Sequence, residues 1–269
     1  MIRYSYIEDE SGETMQVLWN NKYALIKKPK PIFTVLLAAA GSGTRLGNVY
    51  KPLLEIENKE MIAYSLEAFE KSGFVKQIVV SAPDGRKEEI CALAEKYGIS
   101  KLKCVASGGK TRTESVTNAF RAAFGKKEDI TPFLAVHDAA RPMITEKIIN
   151  DVFFACTKYG GAVAATKVRD AIKKTGVDGV VTEELDRNGL WQMQTPQAFD
   201  TDIFHTALVK AKQSGNMSAV DDASLVIDAG FKVMCVESGF ANIKVTYPED
   251  VKIAEAIIKN RKSEKEKTE

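Results

Sequence analysis

Residues 33–53, FTVLLAAAGSGTRLGNVYKPL, run from a continuous apolar stretch of strand length into small residues and then into two cations, Arg45 and Lys51. Small residues after a strand let the backbone approach a bound phosphate closely, and successive N–H groups in such a loop make a nest for an anion. Arg45 and Lys51 add positive charge at the same edge, which a triphosphate requires if a second anion is to come near it. Two familiar phosphate loops are excluded by spacing. A dinucleotide fingerprint needs G-x-G-x-x-G opening into a helix, whereas the third glycine here is one place late, at Gly47, and 52–56 (PLLEI) reads as extended. A Walker A loop needs Gly-Lys-Ser/Thr, and none follows Gly47. A glycine-rich turn between strand and helix is the plain structural alternative.

Downstream of this loop the same rhythm repeats. Apolar runs at Gln77–Ala82, Leu102–Ala106, Phe133–His137, Ala162–Thr166 and Lys232–Glu237 join Phe33–Ala39 as strand candidates, each nearly continuous in apolar character, as strands covered on both faces should be. Between them lie helical stripes such as Ile62, Leu66, Phe69 and Ile148, Val152, Phe153, Cys156. Strands alternating with amphipathic helices predict an α/β domain, Rossmann-like, with a mostly parallel sheet covered by helices on both faces. The domain spans residues 32–258. The segment at about 170–190 is polar and turn-rich (Thr175-Gly176, Asp178-Gly179, Asn188-Gly189), which predicts a protruding β-arm. Residues 1–31 read as an N-terminal appendage in which Tyr4, Tyr6, Val17 and Leu18 favour a hairpin. Residues 259–269 are a charged tail with no apolar stripe, expected to fray.

Composition bounds the function. The 269 residues are 45% hydrophobic and 28% charged, enough for a sizeable core. A net charge of +2 gives no field for a general nucleic-acid binder, while leaving room for a local pocket that takes a small anion. No run approaches a membrane span, and the acidic, polar N-terminus is unlike a signal or transit peptide, so a cytoplasmic enzyme or binding protein is expected. Four dispersed cysteines, no C-x-x-C and two histidines argue for reduced structural thiols and against a zinc site.

Further motifs follow in order: Gly108-Gly109-Lys110 with Arg112 and Ser115-Val116; Val136-His137-Asp138-Ala139-Ala140-Arg141-Pro142; Asp186-Arg187-Asn188-Gly189-Leu190-Trp191; Gln194-Thr195-Pro196-Gln197; Asp221-Asp222-Ala223; and Asn242-Ile243-Lys244-Val245-Thr246. With the A-A-G-x-G-x-R loop, this ensemble resembles the 2-C-methyl-D-erythritol 4-phosphate cytidylyltransferases over residues 33 to about 258. The loop alone is common to many nucleotidyltransferases; H-D-A-A-R-P, D-R-N-G-L-W and T-P-Q are far narrower. Ribitol-5-phosphate cytidylyltransferases share most of these motifs.

The resemblance implies attack of a polyol phosphate on the α-phosphorus of CTP with loss of pyrophosphate, a reaction carried by positioning and charge and needing no covalent enzyme intermediate. It implies that Arg45 and Lys51 stabilise charge on the CTP phosphates, that Lys244 steers the incoming phosphate, and that Ala38, Ala39, Ala40, Gly41, Ser42 and Gly43 lie against the nucleotide. Gly108, Gly109, Lys110 and Ser115 would read cytosine, their alternative being a helix-capping turn. Asp138, Arg141, Asp170, Arg187 and Thr195 would bind the polyol phosphate, with Arg187 reaching across a homodimer into the partner's site. A buried Asp138–Arg141 ion pair is the alternative for that pair, and His137 reads as structural. Asp221-Asp222 looks more like a helix start than a metal pair. Mg²⁺ is implied as cofactor, held by triphosphate oxygens, so no protein metal ligands are predicted. Two departures stand out. Lys51-Pro52-Leu53 replaces the family's Pro-Lys-Gln, and Asp170-Ala171 replaces its Asp-Thr. They leave open ribitol phosphate as acceptor, or a protein that binds cytidine nucleotides without turnover.

Overall fold

The structure is a computed structural model that describes residues 5–8, 14–17, 31–41, 50–215 and 217–266. Strands β1 (Ser5–Glu8) and β2 (Thr14–Val17) form an antiparallel pair within the appendage, as the strand-favouring residues Tyr6 and Val17 suggest. Then follow β3 (Phe33–Ala38), the short hairpin β4 (Glu55–Ile56) and β5 (Lys59–Glu60), α1 (Met61–Lys71), β6 (Val75–Ala82), α2 (Lys87–Lys96), β7 (Leu102–Ser107), α3 (Arg112–Ala123), β8 (Phe133–Asp138), α4 (Glu146–Tyr159) and β9 (Gly161–Lys167). The arm is β10 (Ile172–Thr175) paired with β11 (Val181–Leu185). After it come β12 (Trp191–Asp200), α5 (Thr201–Ser214), α6 (Asp222–Asp228), β13 (Met234–Glu237) and α7 (Pro248–Glu266).

Seven strands make the central sheet in the order β13-β9-β12-β8-β3-β6-β7, and every neighbouring pair is parallel except the two made by β12. Alternation along β3 divides the core. Phe33, Val35 and Leu37 pack with Leu66, Phe69, Ile90 and Phe153 on one face, under α1, α2 and α4, while Leu36 faces Val116, Phe204 and Val226 on the other, under α3, α5 and α6. The helices start and stop where the sequence says they should. Thr145 caps α4 by accepting the Ile148 N–H, and Gly160, at φ +79°, ends it in the left-handed conformation that glycine tolerates. The arm is solvent-exposed and laced by cross-strand ion pairs, Lys173–Glu184 at 2.7 Å and Lys174–Glu183 at 3.6 Å.

Two expectations need correction. The seventh strand, β12, was not foreseen, because Gln192, Gln194, Pro196 and Gln197 break the apolar run that marked the others. The chain also does not fray at Lys259, since α7 stays helical to Glu266. Ile258 is buried with Ile56 and Val245, Lys259 pairs with Glu57 at 3.1 Å, and Arg261 donates to the Met143 carbonyl, so the tail has partners that no local pattern reveals.

Candidate active site

Because β3, β6, β7 and β8 run parallel, their carboxyl ends share one edge, and the segments leaving β3, β7 and β8 line a cleft of about 500 Å³ there. Ala38, Ala39, Ala40 and Gly41 form one wall, and Gly109, Lys110, Thr111, Arg112 and Ser115 another. Lys51, Asp138 and Lys244 complete the charged lining. The backbone ties these walls together: Ala139 N–H donates to Ala38 C=O, Gly108 N–H to Ala82 C=O and Val245 N–H to Ala140 C=O. Lys51 follows the loop on a short 3₁₀ turn and donates to the Thr246 carbonyl at 3.2 Å, so the altered Lys-Pro-Leu order still delivers its ammonium to the cleft. Ser42, Gly43 and Arg45 lie outside the described residues.

The turn after β7 is built by packing and capping together. A Cβ on Gly108 would meet the Ala40 Cβ at 2.6 Å, and one on Gly109 would meet the Glu114 Cβ at 2.3 Å, so both positions require glycine for close approach. Thr111 accepts the Glu114 N–H and caps α3, while the Glu114 carboxylate accepts the Lys110 N–H at 2.7 Å. The Ser115 hydroxyl accepts the Gly109 N–H and donates to the Thr111 carbonyl, both at 2.9 Å. The Gly109 and Lys110 N–H groups are therefore engaged in shaping the loop. Ser115 fixes that wall from within.

Asp138, at the end of β8, accepts from three directions. Arg112 Nε and Nη2 reach its Oδ1 at 3.1 and 3.0 Å, and Lys244 Nζ reaches its Oδ2 at 2.7 Å. Burial opposes the charge on Asp138, but Arg112 and Lys244 outweigh it and hold the carboxyl well below the usual carboxylate range. The expected alternative of an Asp138–Arg141 ion pair gives way to this arrangement. Arg141 instead donates to the carbonyls of Asn242 and Met193, at 2.8 and 3.4 Å. Arg112 also binds Asp222 Oδ2 at 2.6 Å. Burial pushes the Asp222 carboxyl up, in spite of that partner. Asp221 caps α6, accepting the Ser224 N–H, as the helix-start reading of this pair expects. Arg112 and Asp222 are the members that sequence reasoning left without a role. One signal was present: a cation in the first turn of a helix opposes the helix dipole and so needs another partner.

Behind Asp138, Thr195 is buried and does not line the cleft. Its hydroxyl accepts the Asp138 N–H at 3.1 Å and lies 2.9 Å from His137 Nδ1. Gln194 and Gln197, flanking it, bind Gly239, Ser238, Asn242, Asp221 and the Ala223 N–H, so T-P-Q is the polar frame on which the H-D-A-A-R-P turn and α6 are mounted. Asp170 and Arg187 sit exposed at the arm root, where Arg187 donates to the Arg169 carbonyl, and neither reaches the cleft of its own chain. Among the described residues Asp138 is the carboxylate on the lining, and no three His, Cys, Asp or Glu side chains are grouped to hold a metal.

The family model described as "IspD: 2-C-methyl-D-erythritol 4-phosphate cytidylyltransferase" matches residues 33–260. The chain belongs to that family. A 2-C-methyl-D-erythritol 4-phosphate cytidylyltransferase from Bacillus cereus is 39% identical over 232 residues, covering 86% of this chain and all of the relative. The crystal structure of the Thermus thermophilus 2-C-methyl-D-erythritol 4-phosphate cytidylyltransferase is 29% identical, with TM-score 0.68 over 84% of this chain and 98% of that one. A 4-diphosphocytidyl-2C-methyl-D-erythritol synthase from Anaerococcus prevotii shares the fold at TM-score 0.73, covering 86% of this chain and all of that one. Every motif quoted above falls inside the span of the cytidylyltransferase match, and the appendage hairpin falls outside it.

Proposed function

We propose that this protein transfers the cytidylyl group of CTP to 2-C-methyl-D-erythritol 4-phosphate. An oxygen of the polyol phosphate forms a bond to the α-phosphorus, the bond from that phosphorus to the β-phosphate bridging oxygen breaks, and pyrophosphate leaves with the electron pair. The observation that carries this reading, beside membership of the family, is one cleft at the carboxyl edge of the sheet that gathers Lys51, Lys110, Arg112 and Lys244 around a backbone loop of small residues. Such a lining offsets the repulsion between two phosphorylated reactants and needs no acid–base group, consistent with a buried, neutral His137 behind it.

Lys51 and Arg45 would stabilise charge growing on the triphosphate, and Lys244 would steer the incoming phosphate. Magnesium fits as the triphosphate's own counter-ion. Among the described residues Asp138 is the one lining carboxylate and both its oxygens already accept from cations, so phosphate oxygens would supply most of the ion's ligands, and the ion would neutralise charge on the leaving pyrophosphate. The exposed Asp170 and Arg187 suit a homodimer in which each arm serves the other chain's acceptor site. We place the reaction in the cytoplasm; among the described residues no helix is long and apolar enough to cross a membrane.

The test is pyrophosphate release by the purified chain with Mg²⁺ and CTP, offered either 2-C-methyl-D-erythritol 4-phosphate or ribitol 5-phosphate. Turnover with the first acceptor is expected. Turnover with the second alone, or with neither, refutes the proposal.

A further inference from the structure

Arg112 sits at the first position of α3, where the partial positive charge of the helix end disfavours a cation, yet its guanidinium is pinned there by two carboxylates from distant segments. Asp222, fully buried at the start of α6, takes Nη1 at 2.6 Å. Asp138 takes Nε and Nη2 on one oxygen and gives its other oxygen to Lys244 at 2.7 Å. The result is a continuous row, Asp222–Arg112–Asp138–Lys244, running from a carboxylate with no solvent exposure to an ammonium whose side chain is 44% exposed at the cleft. Two positive and two negative charges cancel within it.

That cancellation matters when the cleft fills. An anionic ligand that draws Lys244 away leaves Asp138, itself an anion, facing phosphate. Arg112 is then the cation that still neutralises Asp138, and a guanidinium held from behind cannot swing into the cleft to follow the ligand. Resting on the function proposed above, we infer that Arg112 is a positioning residue of the transfer reaction: anchored by Asp222, it fixes Asp138 and thereby sets where the Lys244 ammonium stands when the acceptor phosphate arrives.

Asp222 does not line the cleft, so cutting the row there removes no side chain of the lining itself. The experiment measures kcat and KM for the acceptor and, separately, CTP binding, in Asp222→Ala and Asp222→Asn, each alone and combined with Lys244→Ala, with circular dichroism confirming the fold. Asp222→Ala is expected to lower kcat/KM for the acceptor by about 10- to 100-fold while leaving CTP binding within about threefold. Asp222→Asn, which keeps an oxygen for Arg112, should recover much of that loss. In the Lys244→Ala background the same substitutions should cost less than about twofold, because the group they position is gone. Full additivity in that background, or wild-type kinetics in a folded Asp222→Ala, overturns the inference. Should Asp222→Ala not fold, the Asp222→Asn pair is judged by the same additivity. A wild-type chain that fails to turn over refutes the proposed function itself, whereas an active wild type with additive variants refutes only the row.

Discussion

The Thr195 hydroxyl stands 2.9 Å from Nδ1 of His137, and the direction of that hydrogen bond is set from across the ring. On the other side of the ring, Nε2 lies 3.2 Å from the Arg141 carbonyl, an acceptor only. Nε2 must therefore donate, leaving Nδ1 of a neutral ring to accept from Thr195, whose oxygen in turn accepts the Asp138 N–H. One hydroxyl thus joins the T-P-Q strand to the two residues that begin the H-D-A-A-R-P turn.

Thr195→Val keeps the shape of the side chain and removes both hydrogen bonds, leaving the Asp138 N–H and His137 Nδ1 buried without partners. A loss of about 1–3 kcal/mol of stability is expected, the cost of stranding buried polar groups. Urea denaturation of Thr195→Val against Thr195→Ser measures it, and Ser should keep most of the stability. A Val variant as stable as wild type would show that Thr195 has no such role.

The same buried ring gives a pH dependence of known sign. Burial depresses the His137 pKa to about 4 from an ordinary value of 6.5. Between those values the unfolded chain binds a proton that the folded chain refuses, so stability rises with pH across this window and is lost as pH falls from 6.5 toward 4. Across the whole window the loss amounts to roughly 3 kcal/mol, since each pH unit in which the two states differ by one proton is worth about 1.36 kcal/mol. Unfolding curves at pH 4.5 and pH 7 for wild type and His137→Asn test this. The pH slope should flatten in the variant; parallel slopes would mean that His137 titrates normally.

Gly109→Ala should damage the site where Gly85→Ala, outside the cleft lining, does not. The added methyl at Gly109 would lie 2.9 Å from the Glu114 carbonyl carbon and the Ser115 nitrogen, backbone that cannot step aside without undoing the cap of α3, whereas a Cβ at Gly85 meets nothing within 4 Å among the described residues. An overpacking cost of about 1–3 kcal/mol at Gly109, with CTP affinity falling by about tenfold, is expected. Calorimetric titration with CTP and thermal unfolding of the two variants decide it, and indistinguishable variants would refute the close-approach argument.

How much of this was legible in sequence depended on whether the determining contacts were local. The six apolar strands, the arm, the appendage hairpin and the helix start at Asp221 are local patterns, and each stands where its residues pointed. Strand β12 hid because Gln194 and Gln197 are buried and polar, satisfied by Ser238, Asn242, Asp221 and Ala223, which lie far along the chain. The Arg112–Asp222 pair spans 110 residues and has no periodicity to betray it. The order Lys51-Pro52-Leu53 looked like a displaced lysine, yet the short turn it forms brings the side chain to the cleft.

The placement of Arg187 leads to a test by subunit mixing. In a single chain Arg187 is exposed, bound to the Arg169 carbonyl, and remote from the lining that holds Lys51. If each arm completes the acceptor site of the other protomer, Arg187→Ala and Lys51→Ala disable different halves of one composite site. Unfolding and refolding the two inactive variants together produces mixed dimers, in which one site keeps Lys51 from its own chain and receives Arg187 from the other. Random pairing makes about half the dimers mixed, each with one intact site of two, so about a quarter of wild-type activity should return. Arg187→Ala alone should raise KM for the polyol phosphate so far that turnover is lost at the assay concentration, while leaving CTP binding unchanged. An arm that serves its own chain predicts no recovery on mixing, because every site would then lack one of the two residues.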